Sequence, residues 1–107
     1  MARVAAATDV FRAVADAHRR ALLDAMSPGE AAVGDLARVA GLSYSAVSQH
    51  LAILREAGLV ERRKAGRHQL YRLDPGPLRE IHNWTSHYER FWRRRLGRLK
   101  RVLDTTR

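Results

Sequence analysis

Ser43-Tyr-Ser-Ala-Val-Ser-Gln-His-Leu-Ala-Ile-Leu-Arg-Glu-Ala57-Gly58 reads as one capped, amphipathic helix. Ser43 is an N-cap by residue type, because its hydroxyl can accept a hydrogen bond from an unpaired amide of the first turn. Val47, Leu51 and Leu54 follow at steps of four and three. That spacing lays one apolar stripe along a helix from Tyr44 to about Ala57. Gly58 then ends the helix as a C′ residue. At the start of the helix, Tyr44, Ser45, Ser48 and Gln49 are left on the polar side.

Upstream, Val33 to Ala40 forms a shorter helical segment with Leu36 and Ala37 inward, broken by Gly41-Leu42. Two short helices across Gly41-Leu42-Ser43 make a helix–turn–helix. Ala37 is small enough for the second helix to cross close by, and Gly41 relieves the sharp turn. Val47 and Leu51 tuck the second helix onto the first. Tyr44, Ser45, Ser48 and Gln49 then occupy the positions that reach base edges in the major groove. Gln can pair bidentately with adenine, and Ser can contact a donor or an acceptor. His50 follows as a half-buried polar group or a phosphate contact. The candidate DNA-binding set on this helix is Ser43, Tyr44, Ser45, Ser48, Gln49 and His50. The plainer alternative is a helical bundle, in which an Ala and a Gly near a turn carry no function.

Downstream, Leu59 to Lys64 alternates weakly and Gln69 to Leu73 clearly, with Leu70 or Tyr71 choosing the buried face. Ala65-Gly66-Arg67 between them is hairpin chemistry, with Gly66 able to take a positive φ. Arg62, Arg63, Lys64, Arg67 and His68 crowd this two-stranded wing. Such a tip can lie against phosphates or in the minor groove, or simply be a solvated basic edge that discourages aggregation. Its position directly after a helix–turn–helix favours the first reading. Nearer the N-terminus, Thr8 is a candidate cap for a helix through Val10, Phe11 and Val14. A second helix from His18 to Met26 places Ala21, Leu22, Ala25 and Met26 on one face before Ser27-Pro28-Gly29 stops it.

The chain has 107 residues and a formal charge of +9. That size predicts a single domain over residues 1–107. Residues 1–54 are neutral, 55–74 contribute +3 and 75–107 contribute +6. A neutral half joined to a basic half points to a polyanion, either nucleic acid or an anionic membrane surface. Cysteine is absent, which removes disulfides, thiol catalysis and cysteine-rich zinc sites. No apolar run is long enough to span a bilayer and no signal peptide is legible, so a cytoplasmic location is expected. No nucleophile motif or Gly-rich phosphate loop appears, so no enzyme activity and no cofactor are expected.

After Asp74-Pro75-Gly76-Pro77, one long helix is expected from about Leu78 to Leu103, with Gly97 as its weak point. Leu78, Ile81, Trp84 or Thr85, Tyr88, Phe91 or Trp92, Leu99 and Leu103 recur at helical spacing among arginines. A helix of about 26 residues spans ~39 Å, more than a small domain needs to close its core. Its spare aromatic face is more than a monomer should expose. A second copy is the expected cover. The candidate dimer interface comprises Phe11, Val14, Leu78, Ile81, Trp84, Tyr88, Phe91, Trp92 and Leu99. The rival is a peripheral membrane or protein-interaction module using this basic amphipathic helix.

Three segments carry a family resemblance. They are Asp16-Ala-His-Arg-Arg-Ala-Leu-Leu23, Val33-Gly-Asp-Leu-Ala37 and Ser45-Ala-Val-Ser-Gln-His-Leu-Ala-Ile-Leu-Arg-Glu-Ala-Gly-Leu-Val60. Together the chain resembles the ArsR/SmtB family of bacterial winged-helix repressors over about residues 8–103. Ala17-His18 departs from the Pro-Thr of many relatives. The resemblance implies a mainly α winged helix–turn–helix with a two-stranded β-wing. It also implies a homodimer on inverted-repeat operator DNA, often released by a ligand. Two family metal sites can be compared position by position. A Cys-Val-Cys-Asp-Leu pattern is replaced by Ala32-Val33-Gly34-Asp35-Leu36. A last-helix site maps onto Glu80, His82, Arg93 and Leu96, where a cation and an apolar residue replace two ligands. Two ligands do not satisfy four-coordinate zinc. His82 and His87 sit about 140° apart on a helix and cannot share one ion within a chain. No metal site is expected.

Overall fold

The computed structural model describes residues 10–105, so the Thr8 cap lies outside the described residues. Residues 10–13 form a helical turn. Then come α1 (Ala17–Met26), β1 (Ala31–Ala32), α2 (Val33–Ala40), α3 (Tyr44–Glu56), β2 (Val60–Ala65), β3 (His68–Leu73), α4 (Leu78–Ser86) and α5 (Glu89–Thr105). Helix α1 begins one residue before the expected His18. Asp16 caps it, its side chain accepting from the Arg19 amide at 3.1 Å. Leu22, Leu23 and Met26 are its buried residues, whereas Ala21 is exposed and Ala25 half-buried.

Helices α2 and α3 end alike. After α2 the Leu42 amide donates to the Ala37 carbonyl at 3.1 Å, and after α3 the Leu59 amide donates to Leu54 at 2.9 Å. Both closures need a left-handed residue between helix and exit, and Gly41 (φ 66°) and Gly58 (φ 77°) supply it. Each then turns a leucine back onto the core: Leu42 is half-buried and Leu59 fully buried. Ser43 caps α3 as expected, its hydroxyl accepting from the Ala46 amide at 3.1 Å. Such a cap contributes about 1 kcal/mol. Val47, Leu51 and Leu54 are fully buried against Leu22, Met26, Leu36 and Leu59 in one core. Each large aliphatic side chain there contributes about 1.5–3 kcal/mol.

The two-stranded wing forms as expected from β2 and β3, and β1 adds a third strand to the sheet. Its order is β1-β3-β2, antiparallel throughout, with Ala31 opposite Tyr71 and Arg62 opposite Tyr71 on the other side. Gly66 and Arg67 form the two-residue turn, Gly66 with φ 61°. Tyr71, not Leu70, is the buried choice, beside Val60.

The last helix is corrected. It breaks at His87-Tyr88 into α4 and α5, while Gly97 sits inside an unbroken α5. Side chains around the break supply the reason. The Thr85 hydroxyl donates to the His82 carbonyl and the Ser86 hydroxyl to that of Asn83, and His87 Nδ1 lies 3.0 Å from the Trp84 carbonyl oxygen. These contacts compete with the regular ladder. The amides of His87 and Tyr88 tighten to three-residue bonds on Trp84 and Thr85. Leu78 and Ile81 of α4 pack half-buried on the core, whereas no residue of α5 is buried.

Candidate nucleic-acid interface

The start of α3 separates by face. Val47, Leu51 and Leu54 point into the core, and the exposed side carries Tyr44, Ser45, Ser48 and Gln49. Tyr44 is 63% exposed. The separation follows from helical period: these four exposed residues span about 140° of arc, clear of the buried stripe. Ser43 is exposed, but its hydroxyl is committed to the cap.

His50 does not join that face. It is half-buried on the flank of α3, with Nδ1 3.4 Å from Arg19 Nη1 and its ring 5.9 Å from that of His18. Arg19 Nε and Nη2 also donate to the carbonyls of Ala13 and Arg12, at 2.7 and 3.0 Å. One guanidinium thus ties the 10–13 turn and α1 to α3. The Arg19 amide, donating to the Asp16 carboxylate, holds that carboxyl below its ordinary value.

The hairpin has two chemically different faces, set by strand alternation. Arg62 and Lys64 stand opposite Tyr71 and Gln69, on the same side as buried Val60 and Tyr71, and no acid shares that face. The other face pairs Glu61 with Arg72 and Arg63 with Leu70 in register. There the Arg63 guanidinium grips Glu30 through two bonds, Nε to Oε2 at 2.6 Å and Nη2 to Oε1 at 2.9 Å. Arg72 donates to Glu61. The Arg63 hydrogen bonds hold the Glu30 carboxyl below its ordinary value, and Glu61 pushes the Arg72 guanidinium up. Among the described residues, Arg62, Lys64 and Arg67 form no ion pair. His68 is exposed, opposite Ala65 at the turn.

Sequence reasoning singled out Arg63 but missed its partner Glu30, and it missed Arg19 and Arg72. The Glu61–Arg72 pair was legible in principle, as opposite charges facing across a hairpin. The Glu30–Arg63 pair spans 33 positions and depends on the two-residue β1, which leaves no periodic signal.

The expected dimer face divides. Phe11, Val14, Leu78 and Ile81 are half-buried against their own chain's core. Trp84, Tyr88, Phe91, Trp92 and Leu99 are exposed at 45–56%. Phe11 and Trp84 meet edge to face at 5.6 Å, and Trp84 and Tyr88 at 5.9 Å. An open cleft of about 450 Å³ lies at the α4–α5 break, lined by Trp84, Thr85, Tyr88, Phe91 and Trp92 together with Arg94, Arg95 and Arg98. Among the described residues, no helix is long and apolar enough to cross a membrane, and no group of three or more His, Cys, Asp or Glu could hold a metal ion.

With this geometry in place, likeness to known proteins becomes informative. Residues 16–62 match the model of the "Bacterial regulatory protein, arsR family". The chain is 40% identical over 95 residues to the HTH-type transcriptional regulator Rv2034 of Mycobacterium tuberculosis, covering 89% of this chain and 86% of that protein. It is 31% identical over 80 residues to the transcriptional repressor SdpR of Bacillus subtilis, covering 75% and 89%. Among solved structures, a homodimeric winged helix–turn–helix DNA-binding domain from Mycobacterium bovis superposes with TM-score 0.68 at 28% identity, covering 82% of this chain and 84% of that one. The chain belongs to the bacterial ArsR family of transcriptional regulators.

Proposed function

We propose that the chain is a repressor that occupies an inverted-repeat operator as a homodimer, acting by binding rather than by catalysis. The observation that carries this reading is an adjacency. An exposed polar face at the start of α3 adjoins, in the chain, a hairpin whose one face carries cations and no acid. Ser45, Ser48 and Gln49, with Tyr44 beside them, read base edges in the major groove, Gln49 as the bidentate reader. Ser43 holds the helix end, and His50 supports the helix from behind. Arg62, Lys64 and Arg67, with His68 at the turn, engage phosphates and set affinity and register rather than sequence. The repression and the dimer are drawn from relatives: SdpR is a transcriptional repressor and the Mycobacterium bovis domain is homodimeric.

The segment 78–103 makes the dimer in this reading. Trp84, Tyr88, Phe91, Trp92 and Leu99 meet the partner copy, with Phe11, Val14, Leu78 and Ile81 as the half-buried base beneath them. A two-fold arrangement sets two reading helices about 34–36 Å apart, one turn of DNA. No metal takes part, because Ala32, Gly34, Arg93 and Leu96 stand where a site needs ligands.

Genome-wide occupancy, followed by binding to a recovered duplex, tests the function. Recovery of a pseudo-palindromic site whose affinity falls steeply with salt is the expected result. A chain that enriches no DNA is not this regulator. One observation favours a second reading. Residues 93–101 of α5 carry six cations and no acid beside exposed Trp92, Leu96 and Leu99, the pattern of a helix lying on an anionic membrane. Sedimentation with anionic liposomes separates that reading from the dimer.

A further inference from the structure

Four charged side chains cover the face of the sheet turned away from Val60 and Tyr71. They alternate in sign: Glu30 ahead of β1, Arg72 on β3, and Glu61 and Arg63 on β2. Arg63 binds Glu30 through two nitrogens, and Arg72 binds Glu61. Arg72 also lowers the Glu30 carboxyl through its charge, so the two pairs form one network. Isolated surface ion pairs contribute little, but bidentate arginine–carboxylate pairs and networks are the exceptions. Glu30 is the more enclosed partner, its side chain 31% exposed against 60% for Arg63. The consequence is mechanical as well as electrostatic. Strand β1 pairs with β3 at Tyr71 and Leu70, the register level of Arg62 and Arg63, and at that level the clamp ties β2 to the segment between α1 and β1. Arg63 and Arg72 are spent inside the protein, while Arg62, Lys64 and Arg67 keep their charge for a polyanion.

We infer that Glu30, which lies in neither the helix–turn–helix nor the wing, is a positioning residue for DNA binding. It acts through Arg63 by fixing the wing so that the Arg62–Lys64 face meets the phosphates. This rests on the DNA-interface reading above, and it removes Arg63 from the phosphate-contacting set.

The test is binding of the full chain to a mixed-sequence duplex across a salt series, with E30Q, R63Q, the double variant and the charge swap E30R/R63E. If only net charge mattered, E30Q would tighten binding and R63Q would weaken it. The clamp predicts that both weaken binding, by roughly twofold or more, and that the double variant is no worse than either single one. The charge swap should recover affinity. The salt slope should stay at the wild-type value in R63Q, whereas R62Q, K64Q and R67Q should each flatten it by about 0.9. Tighter binding by E30Q, or a slope in R63Q as flat as in R62Q, overturns the clamp and returns Arg63 to the phosphates. If R62Q, K64Q and R67Q all leave the slope unchanged, the interface reading fails instead, and that outcome is distinct from the first.

Discussion

The Arg19 guanidinium lies 3.4 Å from His50 Nδ1 and donates at the same time to the carbonyls of Ala13 and Arg12. Arginine has only donors, so a hydrogen bond across this contact draws on the lone pair of Nδ1. The pair joins α1 to the flank of α3 and leaves the exposed face of Tyr44, Ser45, Ser48 and Gln49 uncovered. The two carbonyls end the 10–13 turn, where that of Arg12 also accepts from the Ala15 amide at 3.2 Å.

Arg19→Ala should therefore lower stability more than its surface location suggests. It strips donors from two main-chain carbonyls and from a half-buried imidazole, at a cost of about 1–3 kcal/mol. Arg38→Ala removes a single contact to Asp35 between two well-exposed side chains and should change stability by less than about 0.5 kcal/mol. Urea unfolding midpoints compare them. Equal midpoints would reduce the Arg19 contacts to surface decoration.

How much of this was legible follows from range. The cap, the buried stripe and the end of α3 were readable, because they act within a few residues of one another, whereas the His50–Arg19 contact spans 31 positions. The hairpin was readable for the same reason. The break at His87-Tyr88 was hidden because apolar spacing runs straight through Trp84, Tyr88 and Phe91. Its cause is a set of side-chain bonds from Thr85, Ser86 and His87 that periodicity does not register. Gly97 looked weaker than it is: one glycine costs a helix about 1 kcal/mol against alanine, too little to break one of 17 residues. Strand β1 and the Glu30 clamp were out of reach. Two alanines have no alternation to read, and the register of the sheet brings Glu30 to Arg63.

Base reading should be concentrated at Gln49. Its amide can make two bonds to one adenine, so Gln49→Ala should relax discrimination at one operator position by roughly 1–3 kcal/mol. Ser45→Ala and Ser48→Ala should have smaller effects. The measurement is affinity for the operator against single-base variants of it. An equal loss on operator and random DNA would make Gln49 a positioning contact.

Acid should unfold the chain partly through Glu30 and Asp16. Both carboxyls are held below their ordinary values in the folded protein, Glu30 chiefly by hydrogen bonds from Arg63 and Asp16 by the Arg19 amide. The unfolded chain therefore binds protons first as pH falls. Their stabilisation is complete above the ordinary carboxylate range, near pH 4. It disappears as pH drops through the lower folded values. Glu30→Gln and Asp16→Asn should each flatten stability against pH below about 5 and leave its slope near neutrality unchanged. Urea midpoints from neutral to acid pH give the slopes directly. A wild-type acid slope in both variants would mean that other carboxyls set the acid limb.

The dimer should depend on the aromatic face rather than on charge. From Arg93 to Arg101, α5 carries six cations and no acid, so two such helices repel, and apolar contact has to outweigh that repulsion. Trp84, Tyr88, Phe91 and Trp92, each about half exposed in the single chain, are the expected means. Burying one large side chain contributes on the order of 1.5–3 kcal/mol, and two-fold symmetry counts it twice. Trp92→Ala or Tyr88→Ala should thus shift the protein toward monomer. Operator affinity should fall with it, because one helix and one wing alone give weak, nearly sequence-independent binding. Arg93→Ala should do neither, since it removes a like charge and an exposed pair with Glu89. Added salt separates the two contributions: it screens α5 repulsion and should tighten the dimer, while it weakens DNA binding by displacing phosphate contacts. Sedimentation equilibrium across the same salt series as the binding assay measures both. A dimer that loosens as salt rises, or that survives Trp92→Ala and Tyr88→Ala unchanged, would place the interface on another surface.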